Sequence, residues 1–216
     1  MGRRCTTSPP PRRQKRGKNH LAKLKGQDPT ISVFFANITF ASKAAIDYVN
    51  ELKGYHIVGL AETHARGLKA AQAANRARKT GWVPLHADAA QSQTSASGTN
   101  GGMMRCHPPW LTIGTPVEAE GLRGETMPDP NFIWKLLRVK GLSIAVGFVY
   151  FPTGNSLTQN MYHVLSIRAL QDRGYQHIII AGDVNVPVED WYSSGLLEGF
   201  GMRVVVPGDG LTCRTP

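Results

Sequence analysis

The chain has 216 residues with 41% hydrophobic content, enough for one substantial core. No apolar run approaches the roughly 20 residues that a membrane span needs, and the charged, proline-rich amino terminus excludes a secretory signal of the usual apolar kind. Three widely separated cysteines, Cys5, Cys106 and Cys213, match no zinc or C-x-x-C spacing and point to a reducing compartment. The formal net charge of +10 looks like a nucleic-acid signature until it is located. Residues 1–27 hold nine Lys and Arg and no acid, whereas the remainder carries 16 basic and 15 acidic side chains.

That leader, residues 1–28, also contains Pro9, Pro10 and Pro11 and few large apolar groups, so it is expected to be disordered. The segment Arg12 to Lys18 suits a nuclear import signal or a sliding phosphate contact, and equally a solvated leader. A nuclear or cytoplasmic location is expected, with the basic leader pointing to the nucleus. The folded domain is expected over 29–216. Its first strand, Ile31 to Ala36, runs into Asn37. Ser42 then caps a helix with Ala45, Ile46, Val49 and Leu52 on one face, stopped by Gly54. A buried strand, His56 to Ala61, is followed at once by Glu62.

Leu68 to Lys79 reads as a second helix with Lys69, Arg76, Arg78 and Lys79 on its wet side. Trp82 to Ala90 suits an edge strand, since Pro84 is tolerated only where no ladder donor is needed. Gln91 to Asn100 is a polar loop. Gly101 and Gly102 open an expected strand, although Met103 to Cys106 are less strand-like than a Val/Ile run and Pro108-Pro109 cuts it short. His107, near that break, reads as structural or exposed. The acids between Thr115 and Asn131 (Glu118, Glu120, Glu125, Asp129) have no periodicity and suit a solvated connection better than a metal site.

Phe132 to Val139 and Leu142 to Phe151 form an expected hairpin through Lys140-Gly141, and the second strand delivers Tyr150. Asn155 and Ser156 offer a cap to a helix with Leu157, Met161, Val164 and Leu165 on one face. It leads into Ile178 to Ala181, an unbroken apolar run that suits a strand buried on both faces. Gly182 is expected to end that strand in a sharp turn, presenting Asp183 and Asn185 at its carboxyl end, where open α/β sheets bind ligands. An Asp-Asn turn closing a strand would read the same way. A short helix at Val188 to Leu197 and a strand at Met202 to Val206 complete the elements.

Four apolar runs thus end on Asn37, Glu62, Tyr150 and Asp183. Burying such groups without partners costs a few kcal/mol each, which makes the succession informative. Asn37 after the first strand, Glu62 in L-A-E-T-H, Tyr150 in V-Y-F-P and Asp183 with Asn185 in G-D-V-N together resemble the endonuclease/exonuclease/phosphatase superfamily. In style they are closest to the endonuclease domains of non-LTR retrotransposons. The resemblance implies a four-layer α/β sandwich, two packed mixed β-sheets flanked by helices, here lacking the final strands. It implies hydrolysis of a phosphate ester with Mg²⁺ or Mn²⁺, nucleic acid (DNA above all) as partner, and a monomer.

By the same resemblance, Glu62 is the metal ligand assisted by Asn37. Asp183 orients or deprotonates the attacking water, Asn185 fixes Asp183 and contacts the phosphate, and Tyr150 donates to a non-bridging oxygen. Thr39 stands where some relatives have an aspartate. Thr212 and Cys213 occupy the place of a Thr-Trp-like motif, and the late Asp and Asp-His pair of the superfamily do not occur before Pro216. A missing histidine of that kind commonly costs two to three orders of magnitude in rate. His64, His86, His163 and His177 show no claim to replace it. Two readings follow: a metal-dependent DNA endonuclease of retroelement type, weak or inactive as it stands, or a non-catalytic relic that keeps the scaffold and binds nucleic acid.

Overall fold

Every residue of β2 (Ile57–Ala61) is buried, which places it inside a sheet with both faces covered. The computed structural model containing it describes residues 30–92, 95, 98–112, 129–139 and 142–205. The basic leader, most of the acidic connection after Thr115, the Lys140-Gly141 turn, the interior of the polar loop, Thr212 and Cys213 lie outside the described residues. All the elements fall in Ile31–Pro216, the larger of two units into which the chain divides, the other being Met1–Thr30.

The first sheet has the order β1-β2-β6-β3, with β1 (Val33–Asn37) parallel to β2, and β6 (Met103–His107) antiparallel to both β2 and β3 (Val83–Ala87). Between β1 and β2, Ser42 accepts a hydrogen bond from the Ala45 amide at 3.0 Å and starts α1 (Lys43–Val49). α2 (Leu68–Lys79) buries a face made only of alanines, Ala70, Ala73, Ala74 and Ala77. So small a face lets the helix backbone lie close to the sheet. The two helices cover one side of the first sheet through Ile46, Val49, Ala73 and Ala77 packed on Val58, Leu60, Met104 and Cys106.

The second sheet has the order β7-β8-β9. β7 (Phe132–Val139) and β8 (Leu142–Tyr150) are antiparallel, and β8 is parallel to β9 (His177–Asp183). Its outer face, with Trp134, Leu136, Ala145 and Val149, meets Val164, Ile167 and Leu170 of α3 (Met161–Asp172). Its inner face, with Ile133, Val146 and Phe148, meets Ile57, Ala61 and Met103 of the first sheet. Phe35 and Phe148 stack across that seam with centroids 6.1 Å apart. The layers are helices, sheet, sheet, helix, as the family resemblance leads one to expect. A two-residue hairpin, β4 (Ala90–Gln91) with β5 (Thr99–Asn100), stands beside them.

Several expectations need correction. β9 is not buried on both faces: its exposure alternates and Ile179 is 43% exposed. Among the described residues it pairs only with β8 and so behaves as an edge. Gly182 does not turn the chain; the strand runs through it to Asp183, and its missing Cβ leaves room for the Val149 side chain and carbonyl oxygen. The strand expected after Gly101 and Gly102 is present as Met103 to His107, fully buried despite its composition because neighbours pair with it on both sides.

α3 begins at Met161, not directly after Ser156. Ser156 and Gln159 instead close the preceding turn reciprocally, with Gln159 Oε1 accepting from the Ser156 amide and Ser156 Oγ accepting from the Gln159 amide. Leu165 is 56% exposed, since it lies about 100° round the helix from Val164. The helix expected after Asn185 is two short ones, α4 (Val188–Ser193) and α5 (Leu196–Gly199). Met202 to Val205 forms no strand. Among the described residues, no helix is long and apolar enough to cross a membrane.

Candidate active site

Side chains alternate along a strand, and that alternation builds the site. Val33 and Phe35 face the seam between the sheets, so Asn37, two residues on, continues the same row. Val146 and Phe148 deliver Tyr150 in the same way, and Ala181 delivers Asp183. Register does the rest: Asn37 lies opposite Ala61, the residue before Glu62, and Tyr150 lies opposite Asp183. Where the apolar rows of both sheets run out, four polar side chains converge.

The convergence is direct. Asn37 Nδ2 donates to Asp183 Oδ2 at 3.0 Å, joining the two sheets across 146 residues of sequence. The Thr39 amide donates to Asn37 Oδ1 at 3.2 Å. A carboxylate on one side and an N–H on the other leave the Asn37 amide only one sensible orientation. Tyr150 is 8% exposed and hydrogen-bonds Glu62. Burial, that bond and the nearby charges of Glu62 and Asp183 all push its hydroxyl well above the ordinary phenol range. Tyr150 is therefore a neutral O–H donor throughout the physiological range.

Asn185 reaches Asp183 through the backbone. Its Nδ2 donates to the Phe151 carbonyl at 2.9 Å, while the Phe151 amide donates to the Asp183 carbonyl at 2.9 Å. Asp183 Oδ2 is held by Asn37, and Asn185 secures the backbone beside it. Asn185 and Glu62 both take left-handed backbone angles, with φ of 43° and 52°, as do Thr39 at 55° and His64 at 48°. Such angles in non-glycine residues cost of order 1–3 kcal/mol each and persist where neighbours over-determine them.

Three histidines have partners outside this group. His64 Nδ1 sits 2.6 Å from the Thr99 carbonyl. His163 stacks on Phe151 and lies tilted against Phe132, and burial lowers its pKa, opposed by Asp129. His107 is buried at 2% exposure beside the Pro108 carbonyl. The sequence reading passes over Thr63 and Asp88, which with His86 form a polar group directly behind Glu62. The only available signal was the middle letter of E-T-H and a His-x-Asp pair at the end of β3.

Among the described residues no group of three or more His, Cys, Asp and Glu is assembled for a metal ion, so no all-protein cage exists there. Two carboxylates and an amide oxygen form a hard, sparse donor set. It suits Mg²⁺ or Mn²⁺, which keep several waters and complete their shells with substrate oxygens. Next to the site, a cleft of about 260 Å³ lies between α1 and α2, lined in part by Lys43, Thr63, Lys69 and Arg76. Arg76 is paired with Asp47 at 3.1 Å.

The endonuclease domain of TRAS1, a telomere-specific non-LTR retrotransposon, is 13% identical over 83% of this chain and 75% of its own, with a TM-score of 0.48. A 3'-5' exonuclease of Neisseria meningitidis is 16% identical over 78% and 70%, also at 0.48. The human Nocturnin catalytic domain, solved with a bound sulfate anion, is 14% identical over 79% and 70%, at 0.50. No curated protein matches the chain. The model of the Endonuclease/Exonuclease/phosphatase family matches residues 9–216, and the chain belongs to that family.

Proposed function

We propose that the protein is a Mg²⁺-dependent phosphodiesterase that cuts nucleic acid, DNA first, as an endonuclease of the retroelement type. One observation carries the reading: the Asn37–Asp183 hydrogen bond that brings two sheets' worth of polar residues onto one spot. Glu62, with Asn37 Oδ1, would hold a Mg²⁺ or Mn²⁺ ion, whose chemistry is to neutralise phosphate charge and that of the leaving oxygen. Asp183, fixed by Asn37, orients a water for in-line attack and takes its proton. Tyr150, kept neutral, donates to a non-bridging oxygen as negative charge grows there. Asn185 and Phe151 hold the backbone that aims Asp183.

Lys43 and Lys69 beside the site favour a substrate with phosphates on either side of the cut over an isolated phosphomonoester. The test is nicking of supercoiled plasmid with Mg²⁺, by the full chain and by Asp183→Ala. Loss of at least about a hundredfold in rate is expected in the variant. Equal nicking by both would refute the assignment. Plasmid binding without nicking in the unaltered chain would instead establish a binding module on this scaffold.

A further inference from the structure

The loop that carries Glu62 is fastened at three points to the end of β3. Thr63 Oγ1 lies 3.2 Å from His86 Nε2, the Ala89 amide donates to the Ala65 carbonyl at 2.9 Å, and the Gly67 amide donates to Asp88 Oδ2 at 2.8 Å. His86 Nδ1 faces Asp88 Oδ1 at 3.3 Å, an electrostatic contact out of ideal hydrogen-bond line. Burial lowers the pKa of His86, against the raising influence of Asp88. A neutral ring with its Nδ1 toward a carboxylate carries its proton there, leaving Nε2 to accept from the Thr63 hydroxyl. Thr63 Oγ1 in turn accepts from the Ala65 amide at 3.5 Å.

The arrangement superficially matches a hydroxyl-imidazole-carboxylate nucleophile, yet Thr63 is buried and its hydroxyl is already engaged by His86 and the Ala65 amide. Its setting is that of a fastening. Gly102, with φ of 88°, leaves the space: a Cβ there would sit 2.5 Å from Thr63 Oγ1. The residues on either side of Thr63 are the left-handed Glu62 and His64. Two strained residues flanking one buried hydroxyl require that hydroxyl to be held firmly.

We propose that His86, backed by Asp88, is a positioning residue that fixes Thr63 and thereby aims the Glu62 carboxylate at the cation. This rests on the metal-site reading above. The test uses the full chain and Mn²⁺, with free ion counted by electron paramagnetic resonance. His86→Leu is expected to weaken Mn²⁺ binding about tenfold, and trypsin should cut faster after the exposed Arg66. His86→Gln, whose Oε1 can accept from Thr63, should recover most of the affinity. If His86→Leu does not fold, Thr63→Val carries the same prediction, with a loss of about threefold for one hydrogen bond.

A purely structural histidine would lower the melting temperature and leave Mn²⁺ affinity of the folded protein untouched, and that result would overturn the proposal. Glu62→Gln separates the two levels. Wild-type Mn²⁺ affinity in Glu62→Gln would overturn the metal site itself, whereas wild-type affinity confined to His86→Leu or Thr63→Val would remove only the role of His86.

Discussion

Tyr150 shows how much a single side chain inherits from its surroundings. Burial, the bond to Glu62 and the neighbouring Asp183 all act in one direction, so its hydroxyl keeps its proton. Replacing it with Phe removes a donor and little volume. Tyr150→Phe should therefore lower kcat for plasmid nicking by about 10²-fold while leaving the fold intact, checked by kinetics beside a melting curve. Of the residues at the site, Asn37, Glu62, Tyr150 and Asp183 were legible because each interrupts an apolar run with a group that core strands do not bury alone. The placing of Asn185 was not legible, because its partner is a carbonyl, and every residue has one. The pairing of Thr63 with His86 was not legible for a related reason: their meeting spans the ends of β2 and β3, which are not neighbours in the sheet.

At the scale of elements, β6 is the instructive case. Met103, Met104, Arg105, Cys106 and His107 have modest strand preference, yet all five are buried. Partners on both sides decide the matter, and no window of sequence contains them. The cost is visible at its far end, where burial depresses the pKa of His107 from 6.5 to about 4, with Lys135 and Arg105 pushing the same way against the Pro108 carbonyl. The sign follows from proton counting. Between pH 6.5 and about 4 the unfolded chain binds a proton that the folded chain refuses, so stability is full above 6.5 and falls as acid is added through that window. The contribution is on the order of 3 kcal/mol. His107→Gln should flatten the pH dependence of denaturant unfolding between 4 and 6.5, a slope that is otherwise expected to be steep. β9 teaches the opposite lesson to β6. Its Ile-Ile-Ile-Ala run reads as interior, but an apolar run does not say how many neighbours it will find.

For the molecule as a whole, the family resemblance carried by Asn37, Glu62, Tyr150 and Asp183 was enough to imply two sheets between helices. It did not give their order or register, which are set by packing across the seam. Phe148 is central there, fully buried and stacked on Phe35. Phe148→Ala should cost about 3–5 kcal/mol, read from urea unfolding, and near-ultraviolet circular dichroism and activity should be lost together in one transition. Separate transitions would mean that the two sheets hold together by something other than this seam.

The hydrogen bond between Asn37 and Asp183 has a temporal meaning as well as a spatial one. A chain emerging from the ribosome presents Asn37 and Glu62 long before Asp183 exists. On the function proposed above, the emerging polypeptide could not cut the template or message near which it is made until β9 arrives.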